Sequence, residues 1–200
     1  MVRSLIFALS TFALSTFALC TVSHASQSPE NTLDAGKVSA QGKPVTLLGT
    51  GVAVGDNAPN FKVVDGGFAP VTLDDYKGQA VLVSVVPSLD TGICSLQTKH
   101  FNEKVAAQYP GIAMLTISAD LPFAQKRFCK AENIDKVTAL SDSVWRDFGQ
   151  KYGLIIKDMG LLTRAVIILD KSHTVVYKQL VSNLSTEPKY DEVIERLKAL

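Results

Sequence analysis

The chain has 200 residues, 46% of them hydrophobic and 20% charged, which sustains a buried core and excludes wholesale disorder. Twenty Lys and Arg stand against 19 Asp and Glu with no long run of either sign, so there is no electrostatic footprint for nucleic acid. Three Cys are too few for a disulfide scaffold, and the absence of Cys-x-x-Cys, His-Glu-x-x-His and zinc-spaced Cys/His clusters excludes a structural zinc site.

One positive charge, Arg3, precedes an uncharged apolar run over residues 4–19, and Ser23-His24-Ala25 follows before the chain turns polar. This is the order of a secretory signal peptide, residues 1–25, cleaved after Ala25. The run is short and diluted by Ser and Thr for a membrane span, and Leu19 stands where a lipoprotein site at Cys20 needs a small residue. The expectation is export, into the bacterial periplasm, with no stable membrane insertion after cleavage. The remaining chain has 19 basic and 19 acidic residues and two cysteines, Cys94 and Cys129. In an oxidising compartment such a pair tends towards a disulfide unless something reduces it.

Residues 26–42 have few apolar positions and read as a flexible lead-in, with one domain over 43–200. Short β-branched runs then alternate with helical stretches, the pattern of an α/β domain with a central mixed sheet flanked by helices. In chain order the expected strands are 45–48, 61–64, 80–86, 113–118, 137–140, 165–169 and 175–179; the expected helices are 93–108, 122–132, 144–152 and 190–197. The runs 80–86 and 113–118 are almost wholly apolar, as strands covered on both faces should be. Asp120 is a plausible N-cap for the second helix, with Pro122 in its first turn. Pro59 and Gly49, Gly51 and Gly55 punctuate a β-rich extension ahead of the main sheet.

Chemistry concentrates at Val85-Val86-Pro87-Ser88-Leu89-Asp90-Thr91-Gly92-Ile93-Cys94, where a buried strand runs through a turn into a helix. Cys94 falls in the first helical turn, where unpaired N–H groups and the helix dipole favour a thiolate over a thiol. Cys94, Thr98, Phe101 and Val105, spaced 4, 3 and 4, share an inward face, which sets the sulfur at the floor of a pocket. Thr91 can offer that pocket a hydroxyl, and Pro87 can shield it and fix the turn. The same position equally suits an inert buried cysteine.

Pro87 to Cys94 fits Pro-x3-Thr-x2-Cys, the active-site pattern of the peroxiredoxins, and residues 117–129, Ile-Ser-Ala-Asp-Leu-Pro-Phe-Ala-Gln-Lys-Arg-Phe-Cys, resemble the thiol peroxidase subfamily. Residues 163–170, 186–190 and 42–47 resemble further blocks of it, the last its N-terminal hairpin, so the likeness spans about residues 42–200. The resemblance implies a thioredoxin-like fold with an N-terminal β-hairpin extension and an atypical two-cysteine mechanism. It implies that Cys94 is peroxidatic, Cys129 resolving and Arg164 the pocket arginine, with hydroperoxides as substrates and a thioredoxin-like dithiol as reductant. It further implies a homodimer and no metal or organic cofactor. Without it, Arg164 reads as a surface arginine at a strand start. Two other classes stay open on the residues alone: a thiol–disulfide oxidoreductase, for which Thr91 stands where the second Cys belongs, and a secreted binding domain with a structural disulfide.

Other candidates have simpler explanations. His100 lies about 120° around the helix from Cys94 and is expected in solvent. His173 is expected at the surface of a hairpin turn, and Asp90, Asp120 and Asp142 serve turns or caps. Trp145, Phe148 and Tyr152 are expected to form one core-facing stripe. Asn183-Leu184-Ser185 matches a glycosylation triplet that is common by chance.

Overall fold

The computed structural model describes residues 34–200; the expected signal peptide and the first part of the lead-in lie outside the described residues. Seven strands form the main sheet in the order β10-β9-β5-β6-β7-β3-β4. These are β3 (Lys62–Val64), β4 (Pro70–Thr72), β5 (Val81–Val85), β6 (Ala113–Ser118), β7 (Thr138–Ser141), β9 (Ala165–Leu169) and β10 (Val175–Leu180). β5, β6 and β7 run parallel; β9 is antiparallel to β5 and β10, and β3 to β7 and β4, so the sheet is mixed.

Every residue of β5 is buried because each face of the sheet is covered. Val81, Val83 and Val85 point to one face, joining Phe61, Leu115, Ile117, Phe148 and Tyr152. Leu82 points to the other, joining Phe101, Val105, Met114, Ile168, Val193 and Leu197. The period of two places Ser84 on the second face, beneath helix α1 (Gly92–His100). Helices α2 (Pro122–Ala131), α3 (Asp147–Tyr152) and α4 (Tyr190–Lys198) complete the layers.

The expected lead-in is corrected at its C-terminal part. β1 (Asp34–Ala40) pairs antiparallel with β2 (Lys43–Leu48), so the hairpin extension starts at Asp34 rather than near residue 43. Only Val38 of β1 is fully buried, packing with Leu47 and Ile156, so the strand carries too little alternation to read as one. β8 (Ile155–Ile156) extends β2 and attaches the hairpin; two residues show no period at all.

The expected 93–108 helix is also different in kind. α1 ends at His100 and continues as a widened π-type turn, Phe101–Val105, in which the Ala106 N–H donates to the Phe101 carbonyl at 2.8 Å. The extra residue turns both Phe101 and Asn102 inward, and Asn102 Oδ1 accepts from the Lys136 N–H at 2.8 Å.

The third helix begins at Asp147, not 144, behind Arg146 in the left-handed region (φ 57°). The Phe148 and Gly149 N–H groups donate to the Asp142 carboxylate at 3.0 and 2.9 Å. Trp145 therefore precedes the helix and leaves the expected stripe: it is 41% exposed beneath the Lys62 ammonium, while Phe148 and Tyr152 are buried and stacked. The helix stops at Gly153, whose φ of 68° and close approach to the Gly51 backbone both exclude a side chain.

Candidate active site

The buried strand β5 delivers the chain through Val86 and Pro87, both buried, into a turn that opens α1. Thr91 occupies the N-cap position, and its N–H and Oγ1 donate to the Ser88 carbonyl at 3.2 and 3.0 Å. The first bond of the helical ladder runs from the Ser95 N–H to the Thr91 carbonyl, so the Gly92, Ile93 and Cys94 N–H groups precede it. Cys94 is 0% exposed and packs with Val86, Leu89 and Phe128. Thr98, Phe101 and Val105 are buried with it, as the spacing predicts, and Thr98 Oγ1 donates to the Cys94 carbonyl at 2.9 Å.

Arg164 closes the site from the strand across β5. It immediately precedes β9, whose Ala165 pairs with Val85 at the end of β5 nearest Cys94. The arginine is not at the surface: it is 1% exposed, and Nη2 donates to Cys94 Sγ at 3.3 Å. Nη1 donates to Gln97 Oε1 at 2.6 Å, and Nη2 and Nε to the Leu184 carbonyl at 2.9 and 3.3 Å. None of the ion pairs among the described residues includes Arg164. A buried guanidinium without a carboxylate partner is costly, and the sulfur it already touches can supply the missing negative charge.

Sequence reasoning missed two of these groups. Gln97 is buried and spans from Arg164 to Ser84, donating to Ser84 Oγ at 2.8 Å. Its place three residues after Cys94, on the inward face, was the available signal. Leu184 acts through its backbone carbonyl, which leaves no trace in side-chain identity.

A pocket of about 430 Å³ opens onto this arrangement, lined by Pro87, Thr91, Ile93 and Arg164, with Leu96 and Met159 also on its wall. Ala40 and Gln41 at the tip of the hairpin line it as well. Cys94 itself is 0% exposed and does not line the pocket, so its sulfur lies behind Arg164 and the first turn of α1 rather than at the pocket floor as expected.

Cys129 lies on α2, half-buried, and burial pushes its thiol up from the ordinary value. Both cysteines are free. Phe128 packs on the clusters of both, against Cys94 on one side and beside Cys129 on the other.

The remaining candidates fall elsewhere. The His100 ring is not solvated but stacks on Tyr190 at 3.7 Å, where burial lowers its pKa. His173, by contrast with the half-buried His100, is buried, with Nε2 3.0 Å from the Tyr76 carbonyl oxygen. Leu121, rather than Asp120, occupies the N-cap position of α2, and the Asp120 carboxylate instead accepts from Ser88 Oγ and the Leu89 N–H.

Comparison with known proteins agrees with this geometry. Residues 53–194 match the Redoxin family. Thiol peroxidase of Halalkalibacterium halodurans is 47% identical over 162 residues, 81% of this chain and 97% of that protein. Thiol peroxidase of Bacillus subtilis is 46% identical over 164 residues, 82% of this chain and 98% of that one. The crystal structure of a peroxiredoxin-like protein from Aquifex aeolicus superposes with a TM-score of 0.77 at 42% identity, covering 84% of this chain and 98% of that chain. With a buried cysteine at the start of a helix, an arginine on its sulfur and relatives of this similarity, the chain belongs to the Redoxin family and, within it, to the thiol peroxidases.

Proposed function

We propose that the protein is an exported thiol-dependent peroxidase that reduces hydrogen peroxide and organic hydroperoxides through Cys94 and resolves through Cys129. The single observation that carries the reading is the Arg164 guanidinium on the Cys94 sulfur, buried and without a carboxylate of its own among the described residues.

In the reaction, the Cys94 thiolate attacks the terminal peroxide oxygen. The S–O bond forms as the O–O bond breaks, and the departing alkoxide or hydroxide takes a proton to leave as alcohol or water. Cys94 is left as a sulfenic acid. Arg164 and the first-turn N–H groups of α1 meet the charge that builds on the oxygens, positioned beforehand and away from bulk water. Thr91 gives its hydroxyl hydrogen to the Ser88 carbonyl, so its oxygen is free to accept from the hydroperoxide O–H. Pro87 walls the pocket. The Cys129 sulfur then attacks Cys94, the S–S bond forms and water leaves; a dithiol protein restores both thiols by exchange. Every covalent change falls on sulfur and oxygen, so the cycle needs no metal or organic cofactor.

The leader-like sequence supports residence in the bacterial periplasm, which requires an exported, thioredoxin-like reductant. A homodimer belongs to the same reading.

Stopped-flow reaction of the reduced protein with cumene hydroperoxide tests the proposal. Rapid loss of two thiols is expected, abolished by Cys94→Ser and converted by Cys129→Ser into a trappable sulfenic acid. Reaction no faster than that of a free thiol would falsify the peroxidase reading.

A further inference from the structure

A connected set of polar side chains joins the two cysteine-bearing segments. Asp120, just beyond β6, accepts from Ser88 Oγ on one carboxylate oxygen at 2.7 Å. On the other it accepts from the Leu89 N–H and from Ser118 Oγ, both at 2.8 Å. Ser118 Oγ in turn accepts from Gln125 Nε2 at 2.9 Å, and the same nitrogen donates to the Leu140 carbonyl at 2.8 Å. Ser88 and Leu89 belong to the turn before Cys94, and the Ser88 carbonyl holds the Thr91 hydroxyl. Gln125 belongs to α2, one helical turn before Cys129. Ser118 and Gln125 are buried, and Gln125 Oε1 is without a partner among the described residues, so its contribution to holding α2 runs through one nitrogen.

We propose that Asp120 is a positioning residue for the peroxide step and that, through Ser118 and Gln125, it makes retention of the Cys94 turn and retention of α2 one event. The inference rests on the peroxidase reading of Cys94 and Cys129. A carboxylate takes three donors at once, and here they come from the turn and from the end of β6. With all three in place, Ser88 and Leu89 are fixed and Thr91 is aimed. When α2 opens to bring Cys129 to the Cys94 sulfenic acid, Gln125 leaves Ser118, the Ser118–Asp120 bond loses its anchor, and the turn is loosened in the same step.

The test separates the two phases of the cycle: loss of the Cys94 thiol to peroxide, then decay of the sulfenic acid to the disulfide. Asp120→Ala is expected to slow the first about tenfold, the effect of leaving a buried donor unmet, and to speed the second severalfold. Asp120→Asn and Ser88→Ala should show the same opposed changes at smaller amplitude, and Gln125→Leu should act chiefly on the second phase. Val175→Ala, a core change at the end of the sheet remote from Arg164, supplies a destabilised control that is expected to shift neither phase. Opposed changes in Asp120→Ala, or in Ser88→Ala should the first not fold, together with a change chiefly in the second phase in Gln125→Leu, support the coupling. Phases that move together, or that follow Val175→Ala, overturn it. Slow thiol loss in the unsubstituted protein is a different result and removes the peroxidase reading instead.

Discussion

Arg164 is held by a carboxamide and a carbonyl so that one nitrogen is left to share with sulfur, a task for a planar fork of N–H donors. Arg164→Ala is therefore expected to lower the second-order rate constant with peroxide by about a hundredfold to a thousandfold, the loss typical for one preorganised donor to a developing anion. Arg164→Lys should recover only a small part of it, since one ammonium cannot span Gln97, Leu184 and Cys94 together; full recovery would show that charge alone suffices. At this scale the sequence was informative where chemistry follows local structure: strand, turn and helix start singled out Cys94 as a candidate, while leaving an inert buried cysteine equally open. Arg164 was different. Beside Cys94 it comes from a distant strand, and only the resemblance drew attention to it. Asp120 and His173 were misjudged because their partners lie far along the chain, at Ser88 and Tyr76.

Among the elements, α3 shows a short helix maintained by one buried carboxylate. Burial raises Asp142 to about 6, outweighing the two N–H groups it accepts from Gly149 and Phe148. The folded chain thus holds this proton more tightly than the unfolded chain does. The contribution is most favourable below about pH 4, falls by about 3 kcal/mol as the pH rises to about 6, and is level above that. Chemical denaturation between pH 4 and 7 should show that decline in the unsubstituted protein and a flatter profile in Asp142→Asn; equal slopes would mean that the burial is not felt. α2 carries the second expectation at this scale. A disulfide needs Cα atoms within about 7 Å, and the two free cysteines lie on different helices and in different apolar clusters, with Phe128 packed against Cys94, so α2 is expected to leave its place for the bond to form. Amide exchange in residues 121–130 and around Cys94 should be faster in the oxidised form than in the reduced one; identical protection in both would refute the rearrangement. The long strands and the existence of four helices were legible from hydrophobic period. The π-type turn and the start of α3 were not, because each is set by a side chain bonded across the fold, Asn102 to residues 135–137 and Asp142 to residues 148 and 149.

For the whole molecule, composition and strand order were enough to anticipate a mixed sheet with helices on both faces, and the position of the hairpin was anticipated only from its second strand. β1 escaped notice because an edge strand with a single fully buried residue looks, in sequence, like a tail. Yet that strand bonds the segment that steadies the active-site arginine. The Ser39 N–H donates to the Ser182 carbonyl at 2.7 Å and the Leu184 N–H to the Ser39 carbonyl at 3.0 Å, and Leu184 is the residue whose carbonyl steadies Arg164. Truncation from the N-terminus therefore meets a limit at these contacts. A protease that trims the chain as far as residue 33 removes none of these contacts, so the arginine's support is expected to be kept. One that cuts a few residues further, past Ser39, frees the segment behind the guanidinium and should leave a protein that keeps its sheet but reacts slowly with peroxide.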